Sequence, residues 1–237
     1  MMQVYVGYDQ REKDAYDVAV FSMKRHSRKP VSVIKLETEK LRSCGLYTRP
    51  TDKRGGIYDL HSNAPCSTDF ALTRFLVPIL AQTGFALFID CDMLFLADVE
   101  ELFACADPRY AVQVVKHRQT GTGTKMDNCV QLEYPCKNWS SVCLFNMDHP
   151  ANARLSLRDV NERPGRALHS FYWLNNSEIG DLPAEWNWLV NVEEKPSEPK
   201  LAHYTLGGPF TPGWKGAEYD SLWLKEFGVC REYHSTY

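Results

Sequence analysis

The sequence predicts an α/β fold in which a largely parallel sheet is covered by helices. Strand-like and helix-like segments alternate along the chain, the strand-like segments are short apolar runs bounded by turn residues, and there is no internal repeat. The 237 residues suit one domain with a substantial core, and no linker of distinct composition divides them. In such sheets ligands bind beyond the carboxyl ends of the strands, so the residues that follow each strand are candidates for function.

Short apolar or β-branched runs predict the strands. They are residues 3–8, 31–36, 85–89, 110–115, 142–145 and 201–204. Residues 45–66 lie between the second and third of these strands. They are rich in glycine, proline, arginine and aspartate, and this composition predicts a long loop.

The spacing of apolar residues predicts the helices. They are residues 14–26, a segment from Ser67 or Thr68 through Ala81, residues 151–160 and residues 219–227. In the first helix, alanine, valine, serine and methionine side chains are spaced for one face. In the second, Ser67 or Thr68 can act as the N-cap, and Pro78 bends or ends the last turn.

Composition limits the class of protein. A formal net charge of −3 provides no general attraction for nucleic acid or for an anionic membrane. The apolar runs fall far below the roughly 20 residues of a membrane span, and the first residues lack the basic and apolar parts of an export signal. We therefore expect a soluble protein of the cytoplasm. The eight cysteines have no zinc-type spacing, and we expect free thiols rather than a disulfide framework.

The sharpest chemical signal is a pair of carboxylates, Asp90 and Asp92, directly after an apolar strand. Charge at the end of a buried strand is costly unless a divalent cation or a basic side chain holds it. Residues i and i+2 point to the same side of a strand, so both carboxylates can bind one hard cation. The plainer interpretation is a turn in which an aspartate caps the next helix, but capping needs one carboxylate and leaves the other unexplained.

Two classes of enzyme place Asp-x-Asp after an apolar strand. In phosphohydrolases of the haloacid-dehalogenase type the first aspartate is a nucleophile, and Gly180-Asp181 with Glu185 echoes a second motif of that class. Against this class, Leu94 stands where threonine or valine is usual, and the motif begins about 90 residues into the chain. In nucleotide-sugar glycosyltransferases of the GT-A fold, the aspartates hold Mn²⁺ or Mg²⁺ against the donor diphosphate, where the metal acts as a Lewis acid.

Six segments in register favour the second class. They are VYVGYD at 4–9, DFALTRFLVP at 69–78, DCD at 90–92, NWSSVCLFN at 138–146, LPAEWNW at 182–188 and LAHYTLGGPF at 201–210. Together they resemble, over roughly residues 3–215, the glycogenin and lipopolysaccharide-galactosyltransferase group, that is, glycosyltransferase family 8 and its close bacterial relatives. The resemblance implies one GT-A domain over residues 1–237. It also implies sugar transfer from a nucleoside-diphosphate sugar, a UDP-sugar, with retention at the anomeric carbon.

The resemblance also implies a metal site. Asp90, Asp92 and His203 match the family's three metal ligands. Two oxygen ligands and one nitrogen ligand leave positions open for diphosphate oxygens on Mn²⁺ or Mg²⁺.

The predicted donor-binding residues surround this metal site. They are Tyr8, Asp9, Arg74, Asp90, Gly207, Gly208 and Lys215. Asp9 and Arg74 match residues that position the nucleotide, and the two glycines allow a phosphate to approach the backbone closely. The candidates for the reacting centre are His169, Asn187 and Lys215.

Three departures from the family pattern concern the donor sugar. The terminal motif has Leu206 where the family has glycine and lacks its Lys-Pro-Trp clamp, so Lys215 is assigned to the diphosphate as the nearby cation. The family's Asp-Gln-Asp stretch has no clean counterpart, and the matching segment offers His169. Ser141 stands in the place of a glycine.

Two alternatives to a glycosyltransferase stay open at this point. One is the phosphohydrolase, and the other is a sugar-nucleotide-binding protein that kept the fold and lost turnover, which the three departures make conceivable. The acceptor is also open: a saccharide, a lipid-linked sugar, a protein, a small molecule or a modified nucleic-acid base.

Overall fold

The computed structural model describes residues 1–53, 56–117, 136 and 138–236, and strands and helices alternate along them. The strands are β1 (Met2–Tyr8), β2 (Val31–Glu37), β3 (Thr51–Lys53), β4 (Ile57–Asp59), β5 (Ala64–Cys66), β6 (Phe85–Ile89), β7 (Met93–Phe95), β8 (Val112–Val114), β9 (Val142–Asn146), β10 (Ile179–Asp181), β11 (Trp188–Leu189) and β12 (Leu201–His203). The α-helices are α1 (Lys13–His26), α2 (Thr38–Ser43), α3 (Val77–Leu80), α4 (Val99–Phe103), α5 (Leu157–Glu162), α6 (Gly165–His169) and α7 (Asp220–Thr236).

The central sheet has six strands in the order β10–β8–β9–β6–β1–β2. Strand β9 runs antiparallel to both of its neighbours, whereas the other pairings are parallel, so five of the six strands point the same way. The predicted largely parallel sheet is therefore confirmed. Strands β1 and β6 lie inside the sheet, which agrees with their nearly continuous apolar sequences.

Helix α1 packs against β1, β7 and α7. All of the residues that the sequence places on its inner face are completely buried: Ala15, Val18, Ala19, Ser22 and Met23. The one polar member, Ser22, donates to the carbonyl of Ala19 at 3.2 Å and accepts from the N–H of Phe95 at 3.2 Å. The face therefore carries no unsatisfied hydroxyl into the core.

A second sheet, ordered β11–β12–β7, follows directly from the central one. Strand β6 ends, three residues follow, and the chain continues as β7. Strand β12 is antiparallel to β7 and pairs His203 with Met93. The N–H of Tyr204 also donates to the carbonyl of Asp92 at 2.9 Å. Sheet pairing thus brings His203 beside the Asp-x-Asp segment, although the two are far apart in sequence.

Residues 45–66 are not a loop without regular structure, so that prediction is wrong. They contain β3, β4 and β5, which pair as antiparallel neighbours. The buried guanidinium of Arg49 donates through Nε to Asp59 at 2.9 Å, and through Nη1 to the carbonyls of Val160 and Arg163 at 2.9 and 2.7 Å. The two carbonyl partners lie more than a hundred positions away, so local composition does not reveal them.

The long helix predicted over residues 67–81 is also wrong. The segment contains a 3-10 helix at Thr73–Leu76, followed by the single turn of α3. Pro78 has no N–H to donate inside a helix, and it lies in the first turn of α3, where none is required. Residues 70–77 are all buried, so tertiary packing rather than helix propensity determines this segment.

The helix predicted over residues 151–160 is interrupted. A 3-10 helix covers Pro150–Arg154, and α5 begins only after Ser156. The Ser156 side chain accepts from the N–H of Asp159, whose carboxylate accepts from the N–H of Ser156, which is a capping box. Ser-x-x-Asp is visible in the sequence, and it places this helix start better than apolar spacing does.

Two composition-based expectations can be compared with the structure. The seven cysteines among the described residues are free thiols, as expected, and Cys129 lies outside those residues. Within the part of the chain that the structure describes, no helix has both the length and the apolar character needed to cross a membrane.

Candidate active site

Three predicted metal ligands meet where the chain passes from one sheet to the other. Asp90, Asp92 and His203 are all buried, and each offers a ligand atom within 4.8 Å of the others. The N–H of Asp90 donates to the carbonyl of Ser141 at 3.0 Å, at the start of β9. The segment is thus held by a neighbouring strand of each sheet, which limits how far the two carboxylates can separate.

His203 presents one ring nitrogen to the carboxylates and the other to the protein interior. Its Nε2 lies 3.2 Å from Oδ1 of Asp92, without the geometry of a hydrogen bond. Its Nδ1 lies 2.9 Å from Oδ1 of Asn187. A buried ring nitrogen that makes no hydrogen bond and faces two carboxylates fits a divalent cation such as Mn²⁺ or Mg²⁺.

Arg74 supplies the positive charge nearest to the first aspartate. Its Nη1 lies 2.8 Å from Oδ1 of Asp90 and donates to the carbonyl of Ser140 at 2.8 Å. Its guanidinium carbon lies 5.4 and 4.9 Å from the ring centres of Phe70 and Phe88. Aromatic faces attract a desolvated guanidinium, so Arg74 is fixed in place and offsets part of the buried negative charge.

A pocket opens onto these groups. Its lining residues are Glu12, Ser67, Thr68, Arg74, Asp90, Asp92, Thr205, Leu206 and Gly207. Four of the predicted site residues, Arg74, Asp90, Asp92 and Gly207, are therefore brought to one cavity. His203 lies directly behind it.

Several lining residues were not predicted. Glu12 follows the first strand closely, and its Oε2 accepts from the thiol of Cys91 at 3.1 Å. Ser67 and Thr68, which the sequence suggests as helix caps, also line the pocket. The position of Glu12 after a strand is the one signal that could have identified it.

The first strand ends in two predicted donor-binding residues that do not line this pocket. The carboxylate of Asp9 accepts from the guanidinium and N–H of Arg11 and from the N–H of Asp69. Burial alone raises the pKa of Asp9, but these hydrogen bonds outweigh it and the pKa is lowered. The ring of Tyr8 lies 3.3 Å from Nζ of Lys35. In the described structure, Tyr8 and Asp9 therefore connect the carboxyl end of β1 to neighbouring segments.

The other predicted residues lie at different distances from the pocket. His169 is half-buried, and its Nδ1 lies 2.8 Å from Oγ of Ser140, whose carbonyl binds Arg74. Gly208 adjoins the lining Gly207, but Lys215 is exposed and is not among the lining residues.

The two glycines have separate structural reasons. Gly207 has φ of +109°, a conformation that favours glycine. A Cβ at Gly208 would lie 2.6 Å from Cε1 of Phe210. Side chains at these positions would strain the turn that follows β12.

Asn187 is completely buried and connects several polar side chains behind the site. Its Nδ2 lies 2.9 Å from Nε2 of His117 and donates to Oγ of Ser141 at 2.8 Å. Nδ1 of His117 in turn lies 3.0 Å from both carboxylate oxygens of Glu193. Ser141, one of the departures from the family pattern, thus has a partner that a glycine could not serve.

The residues of the phosphohydrolase motif do not join the aspartates. Asp181 lies in the edge strand β10, its side chain is 71% exposed, and it pairs with Lys116 at 3.3 Å. Among the described residues, neither Asp181 nor Glu185 lines the pocket. This arrangement gives the phosphohydrolase alternative no support.

Comparison with known proteins shows a close relative in sequence. No protein-family model matches the chain. Protein CDI of Arabidopsis thaliana is 43% identical over 231 residues, a match that covers 94% of this chain and 85% of the relative.

Solved structures show the same fold at low identity. The bifunctional glycosyltransferase WbbM has a TM-score of 0.63 at 15% identity over 95% of this chain, which spans about half (49%) of the WbbM chain. The galactosyltransferase LgtC, in complex with donor and acceptor sugar analogs, has a TM-score of 0.57 at 13% identity, covering 96% of both chains. Mouse xyloside xylosyltransferase 1 has a TM-score of 0.55 at 12% identity, covering 89% of this chain and 99% of its own.

These likenesses confirm the GT-A fold and the structural resemblance to the group that the six sequence segments indicated. The match to the Arabidopsis protein extends over nearly all of the chain. The chain therefore has the GT-A fold and belongs to the same family as Protein CDI.

Proposed function

We propose that the protein is a metal-dependent glycosyltransferase that moves a sugar from a nucleoside-diphosphate sugar, a UDP-sugar, to an acceptor with retention at the anomeric carbon. The observation that carries the proposal is the convergence of Asp90, Asp92 and His203 at a pocket of a GT-A fold. Glycosyltransferases with this fold support the general reaction class.

Five residues of the site are given roles in this proposal. Asp90, Asp92 and His203 would hold Mn²⁺ or Mg²⁺, which when bound supplies Lewis-acid stabilisation of the departing diphosphate. Arg74 keeps Asp90 in place through their 2.8 Å contact. The backbone at Gly207, free of a side chain, lets a phosphate approach the pocket wall.

The test is hydrolysis and transfer of a panel of UDP-sugars by the purified protein, with and without Mn²⁺. We expect metal-dependent turnover that Asp92→Asn lowers about 100-fold or more, because a preorganised charge at the leaving group is lost. The matched control is Asp181→Asn, an exposed aspartate outside the pocket, which should leave turnover unchanged.

Three results would contradict the proposal. Phosphatase activity of the wild-type protein in Mg²⁺, together with loss of that activity in Asp181→Asn, would favour the phosphohydrolase. Calorimetric binding of UDP without transfer or hydrolysis would favour a non-catalytic sugar-nucleotide-binding protein. No binding and no turnover with any donor in Mn²⁺ would remove the donor assignment altogether.

A further inference from the structure

We propose that Asn187 is a positioning residue that fixes the ring proton of His203 on Nδ1. The other ring nitrogen, Nε2, then keeps a lone pair on the side of Asp90 and Asp92, where it is available to a cation. His117 and Glu193 complete the arrangement behind Asn187. The consequence for metal affinity rests on the proposed function, whereas the proton position is a property of the metal-free protein.

The direction of the hydrogen bonds follows from Ser141. Its hydroxyl donates to the carbonyl of Asn138 at 2.6 Å, and a carbonyl oxygen can only accept. The one proton of the hydroxyl is therefore used, so the atom of Asn187 that lies 2.8 Å from Oγ must donate. That atom is Nδ2, which settles the orientation of the side-chain amide.

The same orientation determines the proton of His203. With Nδ2 toward Ser141, the amide oxygen of Asn187 faces Nδ1 of His203 at 2.9 Å. An amide oxygen accepts, so Nδ1 must carry the proton. In a neutral imidazole the other nitrogen, Nε2, then has a lone pair, and Nε2 is the atom that lies 3.2 Å from Asp92.

The second proton of the Asn187 amide extends this series of hydrogen bonds. It points to Nε2 of His117 at 2.9 Å, so this nitrogen must accept. The proton of His117 is then on Nδ1, which lies 3.0 Å from both oxygens of the Glu193 carboxylate. All groups in this chain have partners of the right sense, from the carbonyl of Asn138 to Glu193.

Burial makes these bonds decisive. Asn187 is 0% exposed and His203 is 1% exposed, so water does not replace a lost partner. His117 follows β8, Ser141 directly precedes β9, and Glu193 lies between β11 and β12, so the network lies beside strand ends of both sheets. A histidine that binds a metal through one nitrogen needs its other N–H oriented, and loss of that partner typically costs about 10–100-fold in metal affinity.

The first test measures the ring protons in metal-free protein. The histidine ring nitrogens are observed by ¹⁵N NMR at about pH 8, above the ordinary histidine pKa near 6.5. We expect His203 and His117 to carry their protons on Nδ1. In Asn187→Asp, whose carboxylate accepts but cannot donate, His203 should keep its Nδ1 proton, while His117 should gain a proton on Nε2 and keep the Nδ1 proton that faces Glu193.

The second test measures Mn²⁺ affinity by calorimetry. Asn187→Leu should weaken binding about 10–100-fold with the three ligands unchanged. The matched control is Asn152→Leu, another buried asparagine, which donates to the carbonyls of Ala111 and Asn146 and contacts none of the site residues above. This control should lose stability and retain both the His203 proton position and the Mn²⁺ affinity.

The outcomes separate the two proposals. A His203 ring in the wild-type protein whose single proton lies on Nε2, with none on Nδ1, overturns the positioning role, even when the enzyme binds Mn²⁺ and transfers sugar. The predicted proton positions in a protein that binds no Mn²⁺ support the positioning role and reject the metal-dependent function. If Asn187→Leu does not fold, the wild-type and Asn187→Asp spectra still decide. A folded Asn187→Leu with wild-type Mn²⁺ affinity also overturns the proposal.

Discussion

A single arginine illustrates how much of the site depends on one side chain. Arg74 contacts Asp90, the carbonyl of Ser140 and the rings of Phe70 and Phe88 at the same time. Read alone, Arg74 looks like a residue on the solvated face of a helix. Its true surroundings come from a break in the helix and from β9, which the local sequence does not encode.

Arg74→Lys should lower both stability and metal affinity, because an ammonium cannot reproduce the planar fork of a guanidinium. We expect the free energy of unfolding to fall by about 1–3 kcal/mol, the cost of a buried group that loses a hydrogen bond. Denaturant unfolding and a Mn²⁺ titration measure the two effects. The control is Arg109→Lys at the surface pair with Asp107, where the change should stay within about 0.5 kcal/mol. Wild-type stability in Arg74→Lys would show that the fork is dispensable.

The three candidate metal ligands and the network behind them differ in how far the sequence predicts them. Asp90 and Asp92 could be predicted from their spacing after an apolar strand, and His203 from the family resemblance of its segment. Glu193 and His117 could not, because their connection to His203 passes through Asn187 and exists only after the two sheets assemble.

At the scale of elements, five of the six strands described in the central sheet were predicted to within about two residues, because buried strands are continuous apolar runs. The sixth, the three-residue edge strand β10, was not predicted. Strands β3 to β5 were missed because each has only three residues, too few to form a recognisable apolar run. What holds them is the buried ion pair between Arg49 and Asp59, which ties this small sheet to the residues around α5.

This ion pair should give the protein a pH-dependent stability. Burial raises the pKa of Asp59, but hydrogen bonds from Arg49 and Ser62 outweigh it, so the folded pKa lies below the ordinary 3.8. A lowered folded pKa means that the unfolded chain binds more protons near pH 4. The stabilisation is therefore complete above about pH 4 and is lost as the pH falls through the folded pKa.

Asp59→Asn tests this account. We expect a loss of about 3–5 kcal/mol at pH 7, because Arg49 is left as a buried charge without its partner. Below pH 4 the variant and the wild type should converge. Urea unfolding between pH 3 and pH 7 measures both effects, with Asp181→Asn as a surface control. A constant difference across this pH range would contradict the assignment.

At the scale of the whole molecule, the buried apolar side chains of the described residues form two clusters. The larger one lies around the central sheet, and the smaller one joins β7, β11 and β12 to helix α7. Trp223 of α7 is 1% exposed and packs with Phe210 and Phe227, with ring centres 5.7 and 5.1 Å apart. The sheet that contains His203 thus packs against α7. The apolar pattern of α7 alone does not show this contact.

Trp223→Ala should lower the free energy of unfolding by about 3–5 kcal/mol, because a large buried ring is replaced by a cavity. It should also speed hydrogen exchange at β12, whose Ala202 belongs to the same cluster. The control is Leu222→Ala on the same helix, where the side chain is 42% exposed and the expected change is about 0.5 kcal/mol or less. Unchanged exchange at β12 would mean that α7 does not support the sheet.

The passage of the chain from β6 to β7 has a mechanical consequence. Asp90 directly follows β6 of the central sheet, Asp92 directly precedes β7 of the second sheet, and His203 is the last residue of β12. A cation bound by all three residues would cross-link the two sheets. The described cysteines form no disulfide that could do so. The binding free energy of the cation would then also resist the sliding of one sheet past the other. If a cation is bound there, its removal would therefore also weaken the contact between the two sheets.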